Sequence, residues 1–195
     1  MEAAMRVIAG KAGSIRLKAL PGDNTRPTTD RVKETLFNIM APYIADARFL
    51  DFFSGSGAIA IEALSRGASE AVLIERNRKA VEIIQGNLRA AKLEEHARIL
   101  NEDALLACDR LKDEGAWDII FMDPPYRMDW EQKLLKKLRN SALIDENTLI
   151  VVEASADTDF SYLKSYGYQC VKKKTYGSNL HMFLKVDLSG LEGTR

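Results

Sequence analysis

Cysteine and histidine are scarce in this chain: two of each stand among 195 residues. Cys108 and Cys170 are too few for a disulfide framework, and His96 and His181 lie far apart, so no structural metal is expected and a reducing, cytoplasmic setting is the natural reading. There is no apolar run near the roughly 20 residues that a membrane span needs, and the N-terminus lacks the charged-then-apolar layout of a signal peptide. No tract rich in Pro, Gly or Ser separates two domains, and no repeat or low-complexity segment is visible. There is no net charge either, with 28 Lys plus Arg against 28 Asp plus Glu. What is present is 46% hydrophobic residues. At this length a chain buries about 70% of its unfolded surface, which suffices for one full core.

The neutral total conceals an asymmetry. Residues 1–33 carry seven basic side chains against three acids, and residues 160–186 carry five lysines and no acid. The centre is correspondingly acidic. An acidic middle between basic ends suits a cationic ligand in the centre and a polyanion held at the flanks, although charge runs are more often solvated faces.

From Met5 to Leu20 short apolar and basic stretches alternate around Gly10 and Gly13 and predict a hairpin arm (1–25), in which Arg6, Lys11, Arg16 and Lys18 are candidate phosphate contacts. After the turn cluster Pro21-Gly22-Asp23-Asn24, the spacing of Val32, Leu36, Ile39, Met40 and Ile44 predicts a helix. From Arg48 onward short apolar runs alternate with helical stretches. Strands are expected at 48–53, 71–75, 98–100, 117–122 and 148–153, with helices at 57–66, 77–93, 104–111 and 131–138. That order implies a parallel sheet covered on both faces. Residues 168–176 and 179–186 predict a closing hairpin, which ends the main domain (26–186) and leaves 187–195 as a tail.

In open α/β sheets ligands bind beyond the carboxyl ends of the strands. There the sequence places Asp51-Phe52-Phe53-Ser54-Gly55-Ser56-Gly57, then Glu75-Arg76, then Asp103-Ala104, then Asp123. The turn Gly55-Ser56-Gly57-Ala58-Ile59-Ala60 also fits a dinucleotide fingerprint with Glu75 as ribose acceptor. Charge separates the readings. Asp51, Glu75, Asp103 and Asp123 make a poor host for a pyrophosphate, whereas S-adenosylmethionine presents a sulfonium, an ammonium, a ribose diol and an adenine amine. Glu75 suits the ribose, Asp103 the adenine amine and Asp51 the methionine end. Phe53, Gly55, Gly57, Arg76 and Ala104 complete the expected cofactor set. One such acid alone would read equally well as a helix N-cap.

Asp123-Pro124-Pro125-Tyr126 is the most specific motif. Two prolines remove two backbone donors and stiffen the turn, so carbonyl oxygens and the Asp123 carboxylate face the cleft as fixed acceptors. Tyr126 offers a planar surface for a nucleobase. An exocyclic base amine is a weak nucleophile, and acceptors on its N–H groups would turn its lone pair toward a methyl carbon.

The stretches Met5–Gly10, Thr25–Asn38 (containing Arg26-Pro27-Thr28-Thr29-Asp30-Arg31), Leu50–Gly57, Glu62–Ala68 and Asp123–Tyr126 resemble the RsmD family of bacterial 16S rRNA guanine-N2 methyltransferases. The resemblance runs from about Met5 to Val186. It implies a Rossmann-like class I S-adenosylmethionine-dependent methyltransferase, with a seven-stranded, mostly parallel α/β sheet whose last strand inserts antiparallel. It further implies modification of guanine 966 of 16S rRNA in an assembled small ribosomal subunit. Asp51, Gly55, Gly57, Glu75 and Asp103 would hold the cofactor, Asp123 to Tyr126 the base, and Arg26, Thr28 and Arg31 would close over cofactor or RNA.

Residue chemistry alone leaves other readings open. Asp-Pro-Pro-Tyr orients any planar amine, so adenine N6 or cytosine N4 in DNA or RNA is the alternative target. An NAD-dependent oxidoreductase and a non-catalytic RNA-binding module are the readings from other classes. Cys108 reads as a buried thiol, His181 as a core or surface histidine, and Lys172-Lys173-Lys174 equally as phosphate contacts or a protected strand edge. Glu153 receives no role.

Overall fold

The structure, a computed structural model, describes residues 5–19, 30–125 and 128–187. Seven strands form one sheet: β1 (Arg48–Asp51), β2 (Glu70–Ile74), β3 (Ala97–Leu100), β4 (Ile119–Met122), β5 (Leu149–Ser155), β6 (Tyr168–Tyr176) and β7 (Asn179–Val186). Their spatial order is β3-β2-β1-β4-β5-β7-β6. The first five are mutually parallel, and β7 enters antiparallel between β5 and β6. Strand order reverses between β1 and β4, which is where such sheets open a crevice.

Side-chain alternation divides the core in two. Phe49, Leu73, Phe121 and Val151 pack on one face under helices α1 (Asp30–Ile44), α2 (Ala58–Ser65) and α3 (Arg78–Ala91). Leu50, Val72, Ile120 and Val152 pack on the other face under α4 (Ala104–Arg110) and α5 (Trp130–Arg139). Near-continuous burial along the parallel strands, which are covered on both faces, and helical spacing in α3, where Ala80, Val81, Ile84 and Leu88 are buried, explain why these segments adopt these elements. Asn77 starts α3 by accepting the Lys79 amide at 3.0 Å, and Lys92 ends it in the left-handed conformation. The predicted elements are found with ends displaced by a few residues. The first strand ends at Asp51, and the chain passes into the glycine turn while the Phe52 amide still bonds to the Phe121 carbonyl of β4.

The N-terminal segment makes a single antiparallel bridge, Arg6 to Arg16, flanked by backbone bonds from Val7 to Ile15 and from Leu17 to Met5. It is docked rather than free, since Val7, Ala12 and Leu17 belong to the same core as α1 and α2. Glu62 on α2 is fully buried and accepts the amides of Ile8 (2.7 Å) and Ala9 (3.0 Å). The Ser65 hydroxyl donates to the Ala9 carbonyl and accepts the Ala12 amide. Gly10, at φ +83°, has no room for a side chain: a Cβ there would lie 1.9 Å from the Ser65 carbonyl oxygen. On α3, Asn87 clamps both the amide and the carbonyl of Lys18.

Candidate active site

The carboxyl end of β1 sets the geometry. Asp51 is buried, and its carboxylate accepts the Phe53 amide at 3.3 Å. Burial is the chief cause that pushes its carboxyl up to about 7, with the Glu75 carboxylate adding to the effect and the bonds from Phe53 and Ser54 opposing it. The turn then passes through Gly55 at φ +52° and Gly57 at φ +79°. Open space surrounds Gly55, whereas a Cβ on Gly57 would press on Leu73 and Ile84 at 3.2 Å. Gly57 therefore serves close packing against Leu73 of β2 and Ile84 of α3, and Gly55 leaves the turn open on the cleft side.

Glu75 sets the charge that the turn presents. Its two carboxylate oxygens accept the amides of Gly55 (2.9 Å) and Asn77 (2.8 Å). In a dinucleotide site the turn amides would be kept for the pyrophosphate. Here the Gly55 amide is taken by a carboxylate and the Gly57 amide by the Ser54 carbonyl at 2.6 Å. The loop thus presents negative charge instead of bare donors. One bond on each oxygen fixes the Glu75 carboxylate while leaving a lone pair on each for a diol.

A cavity of about 260 Å³ lies over the β1, β2 and β3 ends, lined by Phe53, Gly55, Glu75, Arg76, Asn77, Glu102, Asp103, Ala104, Pro125 and Trp130, among others. Six of the expected cofactor residues meet there, while Asp51 and Gly57 do not line it and lie buried beside it. Asp103 caps α4 through the Leu105 amide at 2.9 Å, so it is an N-cap and a cavity wall at once. Phe53 meets Trp130 edge to face, with centroids 6.0 Å apart, and the buried Trp130 Nε1 has no partner among the described residues. Aromatic walls, carboxylate acceptors and an unpaired donor together fit a nucleoside bearing a cation.

A second cavity, of about 640 Å³, lies over β4 and β5 and the loops beside them. Pro124 and Pro125 form one wall, facing Glu153, Ser155, Tyr162 and Asn179. Pro125 lines both cavities, so the diproline turn is the partition between them. Asp123 directly precedes the partition in the chain and lines neither cavity. Its burial, followed by the nearby Glu153 and Asp51 carboxylates, pushes its carboxyl well above the usual range. Among the described residues that line the larger cavity there is no lysine or arginine.

Arg6, Lys11, Arg16, Lys18 and Arg31 are all exposed, and Arg6 pairs with Asp30 at 2.8 Å. Arg26, Thr28 and Tyr126 lie outside the described residues. Lys172, Lys173 and Lys174 are exposed on β6, the edge strand. Cys108 is buried, which pushes its thiol up to about 12 and leaves it inert. Sequence reasoning misses Trp130, Glu102 and the buried pair of Glu153 with His181, whose Oε2 and Nε2 are 2.9 Å apart. An aromatic at the start of the helix after Asp-Pro-Pro-Tyr is a usable signal for Trp130. The pair has none, because it forms between strands joined only by tertiary structure.

The family model described as "Conserved hypothetical protein 95" matches residues 5–185. The chain belongs to this family, the RsmD family. It is 33% identical over 174 residues to the ribosomal RNA small subunit methyltransferase D of Haemophilus influenzae, covering 89% of each chain. It is 38% identical over 154 residues to the protein of the same name from Escherichia coli strain K12, covering 78% of this chain and 76% of that one. The solved structure of yhhF from Escherichia coli superposes with a TM-score of 0.82 at 33% identity, over 95% of this chain and 99% of that one.

Proposed function

We propose that the protein transfers a methyl group from S-adenosylmethionine to the N2 amine of guanine 966 in 16S rRNA, within an assembled small ribosomal subunit. That the chain is a small-subunit rRNA methyltransferase follows from its family membership and from relatives of that name aligned over most of its length. The single observation that carries the reading is the diproline partition, with an acceptor-lined cavity for a cationic nucleoside on one side and a chamber free of lysine and arginine among its described residues on the other.

The cofactor supplies an electrophilic methyl carbon on a sulfonium. Glu75 would accept the ribose hydroxyls and Asp103 the adenine amine through its second oxygen, while Asp51 would act from its buried position beside the cavity. Across the partition, the Asp123 carboxylate and the neighbouring carbonyl oxygens accept the two N–H groups of the target amine. This fixes the amine and favours the positive charge that grows on nitrogen as the new C–N bond forms and the C–S bond breaks. In its ionised form Asp123 has the raised proton affinity that suits it to take the proton the amine then sheds. Tyr126 stacks on the base, and Arg6, Lys11, Arg16, Lys18, Arg26, Thr28 and Arg31 hold the surrounding RNA.

The test is a methylation assay on naked 16S rRNA and on small-subunit particles lacking the modification, followed by nucleoside analysis. N2-methylguanosine formed on particles supports the reading. Methyl groups on adenine N6 or cytosine N4 would replace it with the alternative.

A further inference from the structure

Glu153 and His181 stand directly abreast in the antiparallel register of β5 and β7. Glu153 is also one residue beyond the last parallel pair of β4 and β5, Met122 with Val152, which places it beside Asp123 at the strand ends. Its side chain is 8% exposed, and it lines the larger cavity opposite Pro124 and Pro125. Two donors hold it: His181 Nε2 at 2.9 Å from Oε2, and Asn179 Nδ2 at 3.4 Å from Oε1.

His181 is itself held, with its ring 5.2 Å from that of Tyr176 and 6.5 Å from that of Phe183, both edge to face. Its Nδ1 is buried without a partner among the described residues. The tautomer with hydrogen on Nε2 donates to Glu153 and leaves Nδ1 a bare lone pair, whereas the reverse would bury an unpaired N–H. The imidazole therefore acts as a donor that aims a carboxylate. Two bonds use two of its roughly four acceptor positions, and the others remain for the cavity.

We propose that Glu153, aimed by His181, is the specificity-determining residue that accepts the N1–H of the target guanine. The inference rests on the guanine-N2 reading above. Guanine offers adjacent donors on its Watson–Crick edge, N1–H and the N2 amine, and two carboxylates side by side, Glu153 and Asp123, match that pair. Adenine N1 and cytosine N3 carry lone pairs at the corresponding position, which a carboxylate repels. A buried acceptor left facing a lone pair discriminates far more strongly than a change of shape does.

The probe is 2-aminopurine, which keeps the reacting N2 amine but has a lone pair at N1. Particles reconstituted with 16S rRNA carrying guanine or 2-aminopurine at the target position would be compared in single turnover at saturating cofactor. Wild-type protein should prefer guanine by about 100-fold or more. In Glu153→Gln, whose amide can present either a donor or an acceptor, the preference should fall to a few-fold. Melting temperature and S-adenosylmethionine affinity should be unchanged. Equal wild-type rates on the two particles would overturn the proposal without reference to any variant. A Glu153→Gln protein slowed alike on both, with its preference intact, would reduce Glu153 to a structural residue. Wild-type protein inert on the guanine particle would remove the guanine-N2 reading itself, a different failure.

Discussion

Lys33 of α1 and Glu62 of α2 form a buried ion pair, Nζ to Oε2 at 3.2 Å, with neither side chain more than 3% exposed. The same ammonium donates to the Arg6 carbonyl, and Arg66 binds the other oxygen of Glu62 at 2.8 Å. Burial is the leading cause that lowers Lys33 from its ordinary value, against the pull of Glu62. Two helices and the N-terminal segment thus meet on one carboxylate. Glu62→Ala leaves a buried cation without a counter-charge and should cost about 3–5 kcal/mol. Denaturant unfolding measures the loss, and hydrogen exchange at the Ile8 and Ala9 amides shows whether the segment lets go. A loss below about 1 kcal/mol would mean the pair holds nothing.

Glu75→Ala should weaken S-adenosylmethionine binding by roughly 1.5–3 kcal/mol, the scale of charge-assisted bonds to two hydroxyls. Calorimetry on the folded variant checks it. Unchanged affinity would free Glu75 from the ribose and leave it as the clamp on Gly55 and Asn77 only.

Asp123→Ala should lower the single-turnover methylation rate about 100-fold at saturating cofactor, the usual scale for loss of a positioned polar group. Cofactor affinity should change much less. If affinity fell and the saturated rate survived, Asp123 would belong to the cofactor side of the partition.

The Asp51 carboxyl, raised from 3.8 to about 7, retains a proton in the folded state that the unfolded chain has already released. Its contribution to stability is therefore complete below about pH 4 and is lost as pH rises through about 7. Asp51→Asn keeps the bond to the Phe53 amide and removes the titration. Without cofactor, its melting temperature relative to wild type should climb between pH 5 and pH 8. A constant difference across that range would assign the proton to another group.

Replacing Arg6, Lys11, Arg16 and Lys18 together by Ala should weaken RNA binding and make its salt dependence shallower. The slope should drop by up to about 0.9 for each duplex phosphate no longer neutralised, or about 0.7 for each single-stranded one. All four side chains are exposed, so folding and cofactor affinity should be preserved. Superimposed salt titrations for variant and wild type would leave these side chains only the task of keeping the segment soluble.

Local signals carry most of the architecture. Alternation of apolar runs with helical spacing locates the parallel strands, and the glycine turn and the diproline mark the sheet edge at which the two cavities open. Pairings between distant segments are not legible in the same way. A glutamate inside an apolar helix such as α2 reads as a mismatch until Lys33 and the Ile8 and Ala9 amides are seen around it. Glu153 stands out from nothing within β5 because its partner depends on the antiparallel register of β7, which no local period encodes. For Asp103, helix cap and cavity wall look like alternatives in the sequence, yet one carboxylate with two oxygens performs both tasks.

The partition at Pro124 and Pro125 leaves each chamber standing on its own half of the sheet, the smaller over β1 to β3 and the larger over β4, β5 and the turn into β7. Hardly any side chain serves both. On the reading proposed above, a substitution confined to the wall of the larger chamber leaves the donor-holding wall of the smaller one intact, so the two binding tasks can be altered separately.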